Sequence, residues 1–503
     1  MKKAGEIFEK YNPVFLLILL AGYLFSRVFM AGEIPYYLHT KELEQAYESL
    51  CIARFGTDST GAAPSLFFGG FGDGHSPLFI WAGALLMKLR PALFSMKLFR
   101  LISAAGGFFA MIFSYLFVWQ WTGKKKDGFV AAGLVLSLPI FFISQRNFLE
   151  NFLVLSILPA AFFFLLAAIK KSKALLFLLS GILFSAAVLT WRPGCIIIPL
   201  FALIVCAYLF FVKKIRIRDA VLLCVPVLIC AVLIVISGLK LDVNPAGILK
   251  NLTRFKKMFW DDGHDFNVIP DFGTMYVFSL PLLVTGVIVS FKKVLTSVKT
   301  KTFDASVLAW CFVIAGLPVC LIIKKAGLST ACGLFFALAM LIMEGIIYIG
   351  DNVKGTLPVI VLVYIVGFCI LTHYYLVNYN SELNHSSDHE NGNIVDKSAG
   401  EAVKAALKMY PEKTVTVYTG EFEGRNLLIA LYGAASPADY RQFSDASSFS
   451  FNNVEVNPEG DIDYSPDHIY AVDQYERPDL VDAFTNQGWG VTVLKEFVLF
   501  YVN

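Results

Sequence analysis

The residues best suited to chemistry gather in positions 31–77, where His39, Lys41, Glu42, Glu44, Asp58, Asp73 and His75 share one stretch of chain that is not apolar enough to span a membrane. A carboxylate there can take a proton from an attacking hydroxyl, or hold a metal that neutralises a departing phosphate. Glu42 and Asp73 are the candidates for that work, with His39 and His75 beside them as substrate contacts. A second set follows: Arg146 and Glu150, four residues apart and so on one helical face, then Arg192, Lys324 and Lys325. All five lie at ends of apolar runs, where a cation can donate charge-assisted hydrogen bonds to a lipid phosphate or simply snorkel to the interface. Arg146 and Glu150 can equally satisfy each other. A third set, within 251–272, mixes Trp260 with Asp261, Asp262, His264 and Asp265. It suits sugar stacking or a divalent cation, although an interfacial aromatic belt is the simpler account. The glycosylation sequon at Asn251-Leu252-Thr253 is too common by chance to carry weight.

The elements that must hold these groups are mostly membrane helices. Hydrophobic residues make up 57% of the 503, too many for a soluble globule to bury, so the chain reads as a polytopic membrane protein. Spans need about 20 apolar residues each. Eleven are expected, near 14–31, 100–121, 128–145, 148–169, 174–191, 194–212, 219–238, 273–291, 306–323, 328–349 and 356–378. The first keeps no small-residue cleavage site behind it and reads as a retained span. Lysines and arginines crowd alternate connections (Lys124 to Lys126; Lys170, Lys171 and Lys173; Lys213 to Arg218; Lys292 to Lys301), which places those inside and the N-terminus with them. The 32–99 loop, the 239–272 loop and the C-terminal tail then share the outer side. Within the first loop, Thr40 is expected to cap a helix that Gly56 ends, and 77–89 is expected to lie along the interface as an amphipathic helix.

The tail differs in kind. Residues 381–503 carry 20 acidic and 8 basic side chains, a net −12, whereas the rest carries 34 basic against 19 acidic, or +15. A membrane domain over 1–379, a polar linker over 380–396 and a small α/β domain over 397–503 follow. Strands are expected at 414–418, 468–472 and 491–501, with helices at 401–409 and 478–486. No Gly-rich phosphate loop follows a strand, so neither nucleotide nor nucleic acid is implied. Seven of the nine cysteines fall in apolar runs, so neither a disulfide framework nor a zinc site follows.

The order of these features resembles the GT-C glycosyltransferases, and more specifically bacterial relatives of the protein O-mannosyltransferase and aminoarabinose transferase group. The resemblance runs through Pro35-Tyr-Tyr-Leu-His-Thr-Lys-Glu-Leu43, Phe71-Gly-Asp-Gly-His-Ser-Pro-Leu-Phe-Ile80, Leu98-Phe-Arg-Leu-Ile-Ser-Ala-Ala-Gly-Gly107, Ser144-Gln-Arg-Asn-Phe-Leu-Glu150, Leu189-Thr-Trp-Arg-Pro-Gly194 and Asp271-Phe-Gly-Thr-Met-Tyr276. It implies a cell-membrane enzyme that moves a sugar from a polyprenyl-phosphate carrier to a glycan, lipid or protein acceptor of the envelope, with a divalent cation as an open question. It also implies catalytic roles for Glu42 or Asp73 and for Glu150, with Arg146, Arg192, Lys324 and Lys325 on the donor phosphate, all in one outer-leaflet pocket. Where the family carries an Asp-Glu pair in the first loop, this chain reads Lys41-Glu42. A protonated lysine cannot be the base, so a non-catalytic binder or sensor of lipid-linked sugar is the second reading, and a lipid-linked sugar transporter the third.

Overall fold

The computed structural model describes residues 12–502 apart from 65–66, 72–74, 76, 90–94, 148, 239–242, 261–268, 270–271, 325–326, 379–393, 422–423, 459–461 and 463. Asp73, Lys325 and the acids of 261–265 therefore lie outside the described residues, as do most of the linker and the side chain of Glu150. The chain divides into two compact units, one of residues 1–31, 73–79 and 97–379, the other of 32–72, 80–96 and 380–503.

The first unit is a helical bundle. Among the described residues, seven helices are long and apolar enough to cross a membrane: Met96–Thr122, Leu153–Lys171, Gly194–Phe211, Ile217–Ile236, Val277–Thr300, Thr330–Asn352 and Thr356–Val377. Shorter apolar helices occupy three further expected positions, at Val14–Val28, Ala174–Val188 and Ser306–Ile322. The expected span at 128–145 is not one helix. It breaks into Lys125–Ser137 and Pro139–Ser144, with Leu138 extended between them. Proline removes a backbone donor and drives the preceding residue out of the helical region, and that is the cause. In an apolar bundle the freed backbone groups need partners. The segment ahead of helix Leu280–Thr300 supplies them: Ile140 N donates to Thr274 O at 3.0 Å and the Tyr276 hydroxyl to Ser137 O at 2.7 Å. The adjoining span also starts late, after a 3-10 turn at Glu150–Phe152.

The second unit joins the first loop to the C-terminal domain. That domain is a six-stranded sheet in the order β4-β5-β3-β6-β8-β7, where β3 is Thr414–Tyr418, β4 Phe449–Phe451, β5 Val454–Val456, β6 His468–Asp473, β7 Gly490–Leu494 and β8 Phe497–Tyr501. β5, β3 and β6 run parallel and the outer pairs antiparallel. Helices Ser398–Met409 and Pro478–Asn486 are present near the expected bounds. The stretch expected as one strand over 491–501 is instead a hairpin, turned at Lys495 in the left-handed region with φ 49°. Tyr470, Phe484 and Phe500 form the core on one face.

The loop helix runs Thr40–Phe55 and ends at Gly56 with φ 73°, as the left-handed cap requires. Its N-cap is His39, not Thr40: His39 Nδ1 accepts from Lys41 N at 3.2 Å. Just ahead of it, β1 (Leu38–His39) pairs antiparallel with β2 (Ile394–Val395), so the loop and the C-terminal domain share a ladder. Cys51 is fully buried on this helix. Helix Pro77–Leu89 forms where expected.

Near the latter ladder, Ser398 Oγ donates to Asp396 Oδ1 at 2.5 Å and to Glu496 Oε2 at 3.2 Å. Burial, then the neighbouring Asp396, pushes the Glu496 carboxyl up to about 7. The folded unit thus keeps a proton there that the unfolded chain has released, and stability falls as the pH rises from the ordinary carboxylate value to about 7, then levels off. Thermal unfolding should occur at higher temperature at pH 5 than at pH 7.5. Glu496→Gln should flatten that slope.

Candidate active site

The C-terminal end of the first apolar helix is held by two buried arginines from different parts of the chain. Arg27, near the end of helix Asn12–Val28, sends Nε to Gln145 Oε1 at 3.0 Å and Nη2 to Leu136 O at 2.6 Å, with its guanidinium 4.5 Å from the Phe142 ring centre. Arg146 answers from the broken span. Its Nη1 donates to Ser26 O at 2.7 Å and Phe29 O at 3.1 Å, and Nη2 to Phe29 O at 3.2 Å and Met30 O at 3.4 Å. These carbonyls are among the last in the helix and the turn after it, which have no intrahelical donor. A guanidinium with five donors suits them, and the Tyr375 ring at 4.8 Å covers it. Arg146 is fully buried. Arg146 thus caps the end of the first helix and stacks on a ring, while the side chain of Glu150, its expected partner, lies outside the described residues.

Arg100 completes the set: it is buried and donates from Nη1 to Ala31 O at 3.3 Å. Sequence reasoning passed over Arg27 and Arg100 because each sits beside an apolar run like an ordinary flanking charge. The available signal was a single arginine facing an apolar stripe with no acid at helical spacing.

Glu42 lies on the first turn of the loop helix, buried, where its Oε2 accepts from His39 N at 3.3 Å. Together with the His39 cap this makes a reciprocal capping box, and the helix dipole favours the carboxylate there. Lys41 is only partly buried. Three residues beyond Glu42, Gln45 is fully buried with neither amide atom hydrogen-bonded, a polar group that nothing in its flanking residues marks out. Glu48, also buried, accepts from Ser59 N at 2.9 Å and Ser59 Oγ at 2.5 Å, which ties the helix to the following loop. His75 is buried.

The other cations are placed by neighbouring residues. Trp191 is fully buried, donates its indole N–H to Thr330 O at 3.2 Å, and leaves the adjacent Arg192 half-buried on the turn before helix Gly194–Phe211. Lys324 is exposed just past helix Ser306–Ile322. The end of that helix is capped by Asn251 Nδ2, which donates to Leu321 O at 2.8 Å and Ile323 O at 2.5 Å. Asn251 is buried, so its sequon presents no amide to a glycan donor. Among the described residues no group of three His, Cys, Asp or Glu side chains could hold a metal ion. An ion pair inside the bundle, Lys293 Nζ to Glu344 Oε1 at 2.5 Å with Ser306 Oγ donating to the same carboxylate, is internally satisfied.

No family profile and no curated protein sequence matches this chain. Its fold is similar to that of ArnT from Cupriavidus metallidurans bound to undecaprenyl phosphate, with a TM-score of 0.53, 12% identity and 98% of each chain covered. The apo state of that protein gives the same TM-score at 14% identity. The Archaeoglobus fulgidus oligosaccharyltransferase tethered to an acceptor peptide is similar at a TM-score of 0.51 and 13% identity over 84% of this chain, which spans 64% of the archaeal protein's length. The protein is a multi-pass membrane protein with the GT-C fold of membrane glycosyltransferases. The likeness to ArnT extends from end to end, C-terminal domain included.

Arg146→Met should leave the Ser26, Phe29 and Met30 carbonyls without their donor, at a cost of roughly 1–3 kcal/mol for each buried group that finds no other. Thermal unfolding in detergent should fall by several kelvin, and Arg146→Lys should recover part of it. Unchanged stability with weakened binding of polyprenyl phosphate would instead make Arg146 a donor-phosphate ligand.

Proposed function

We propose that the protein transfers a sugar from a polyprenyl-phosphate donor to a hydroxyl-bearing acceptor of the cell envelope on the outer face of the membrane. The observation that supports this most is the end-to-end fold likeness to a protein captured with undecaprenyl phosphate. The Lys-rich alternate connections support the orientation: N-terminus inside, C-terminal domain outside.

In the reaction the acceptor oxygen attacks the anomeric carbon, the bond from that carbon to the phosphate oxygen breaks, and polyprenyl phosphate leaves. The acceptor proton passes to a carboxylate, Glu42 or Asp73. Glu42 is the stronger choice, because it already stands buried at the start of a helix that the C-terminal domain supports. Arg192 and Lys324, with Lys325 beside the latter, neutralise charge on the departing phosphate, where fixed cations act most strongly if water is excluded. Glu150 orients the acceptor, and His39 and His75 line the donor sugar. Arg146 works at one remove, holding the end of the first span. A non-catalytic binder of the same lipid is the second reading, favoured by Lys41 and by the use of Glu42 as a helix cap.

Glu42→Gln should lower kcat by about a hundredfold or more, the scale of general-base catalysis, with KM for the donor little changed. Asp73→Asn should lose less. Full activity in both single variants, measured as sugar release from polyprenyl phosphate, would remove the proposed base.

A further inference from the structure

The residues around Tyr36 have no part in the chemistry above, yet they concentrate unusual contacts. Two ammonium groups face one ring: Lys397 Nζ lies 4.9 Å and Lys495 Nζ 3.2 Å from the Tyr36 ring centre. Lys397 precedes helix Ser398–Met409, and Lys495 is the left-handed turn residue between β7 and β8. Lys397 Nζ also donates to Gly32 O at 2.6 Å, at the very start of the first loop, and pairs with Glu401 at 3.0 Å. Two residues after Tyr36 the β1–β2 ladder begins, Leu38 with Val395 and His39 with Ile394, and it ends one residue before the helix that carries Glu42.

That helix is held further along as well. Gly424 sits so close that a Cβ on it would fall 2.8 Å from the Val395 side chain and 3.7 Å from Leu43. Tyr47 donates its hydroxyl to Ser436 O at 3.2 Å and packs 5.0 Å from the Tyr440 ring. The C-terminal domain thus grips the loop before, at and after Glu42.

We propose that the C-terminal domain is a positioning clamp for the Glu42 helix, latched where Lys397 and Lys495 close on Tyr36. Lys397, Lys495 and Tyr47 are positioning residues in this scheme, acting through the helix rather than on the substrate. A cation held over an aromatic face gains strength as it loses water. Lys397 is buried with Tyr36 and makes the stronger contact, while Lys495 reaches the ring from the exposed left-handed turn between β7 and β8 and adds a weaker one. The inference rests on the assignment of Glu42 as base for its kinetic consequence, but not for its structural one.

The test uses the full chain in lipid nanodiscs, with hydrogen exchange of amides 38–50 and transfer from a polyprenyl-phosphate sugar measured side by side. Lys397→Met/Lys495→Met should speed exchange in the first turns of the loop helix about tenfold, the scale of two lost cation–π contacts. It should lower kcat by a similar factor, with KM for the donor within about twofold. Lys495→Arg, which keeps the cation, should restore both, and Tyr47→Phe should give a smaller loss of protection. Unchanged exchange at 38–50 in the double variant would overturn the clamp, as would Lys495→Arg behaving like Lys495→Met. Faster exchange in a chain whose wild type transfers no sugar would sustain the clamp and sink the transferase reading. Normal transfer with unchanged exchange would do the reverse.

Discussion

Everything in the helical unit turns on how an apolar bundle deals with broken helices. Pro139 interrupts the third expected span, and the first span ends within the same unit, so carbonyls and amides are freed where water is scarce. Arg27 and Arg146 settle the account reciprocally. Arg27 reaches from the first helix to Leu136 O beside the break, and Arg146 reaches from beyond the break to Ser26, Phe29 and Met30 at the end of the first helix. Tyr276 and Thr274 bond Ser137 O and Ile140 N at the break. Burying two guanidinium groups is tolerable only because carbonyl dipoles and aromatic faces replace their hydration.

In the second unit the same economy recurs with different chemistry. The first loop buries apolar residues such as Ile34, Leu43, Tyr47 and Phe68, packs Tyr47 against Tyr440 of the C-terminal domain and adds β1 to β2. Glu42 and His39 then satisfy each other's helix end. A carboxylate placed this way is ordered before any substrate arrives, which is what a general base needs if little reorganisation is to accompany proton transfer.

Much of this could be read in the sequence, and the failures have physical causes. Apolar runs located the helices because bilayer thickness fixes their length, and Gly56 marked the end of the loop helix because its left-handed cap favours glycine. Charge set the acidic tail apart, and its pattern of strands and helices marked it as α/β. The break at Leu138-Pro139 was hidden because the residues around it are apolar in either conformation. The turn at Lys495 was missed because neither lysine nor glutamate announces one. Arg146 was legible as a special residue, but its bonds to carbonyls 116 to 120 positions away were not, because separations that long leave no local pattern. The pairing of residues 38–39 with 394–395 could not be foreseen at all, since two-residue strands leave no periodic trace.

The central claim is that this fold turns over a lipid-linked sugar instead of merely holding it. Purified wild-type protein should be incubated with isotopically labelled polyprenyl-phosphate sugar and an extract of envelope acceptors, and free polyprenyl phosphate followed by mass spectrometry. The account predicts that polyprenyl phosphate appears in step with labelled acceptor, over many turnovers per protein. Saturable binding of the labelled donor without any release of polyprenyl phosphate would contradict it.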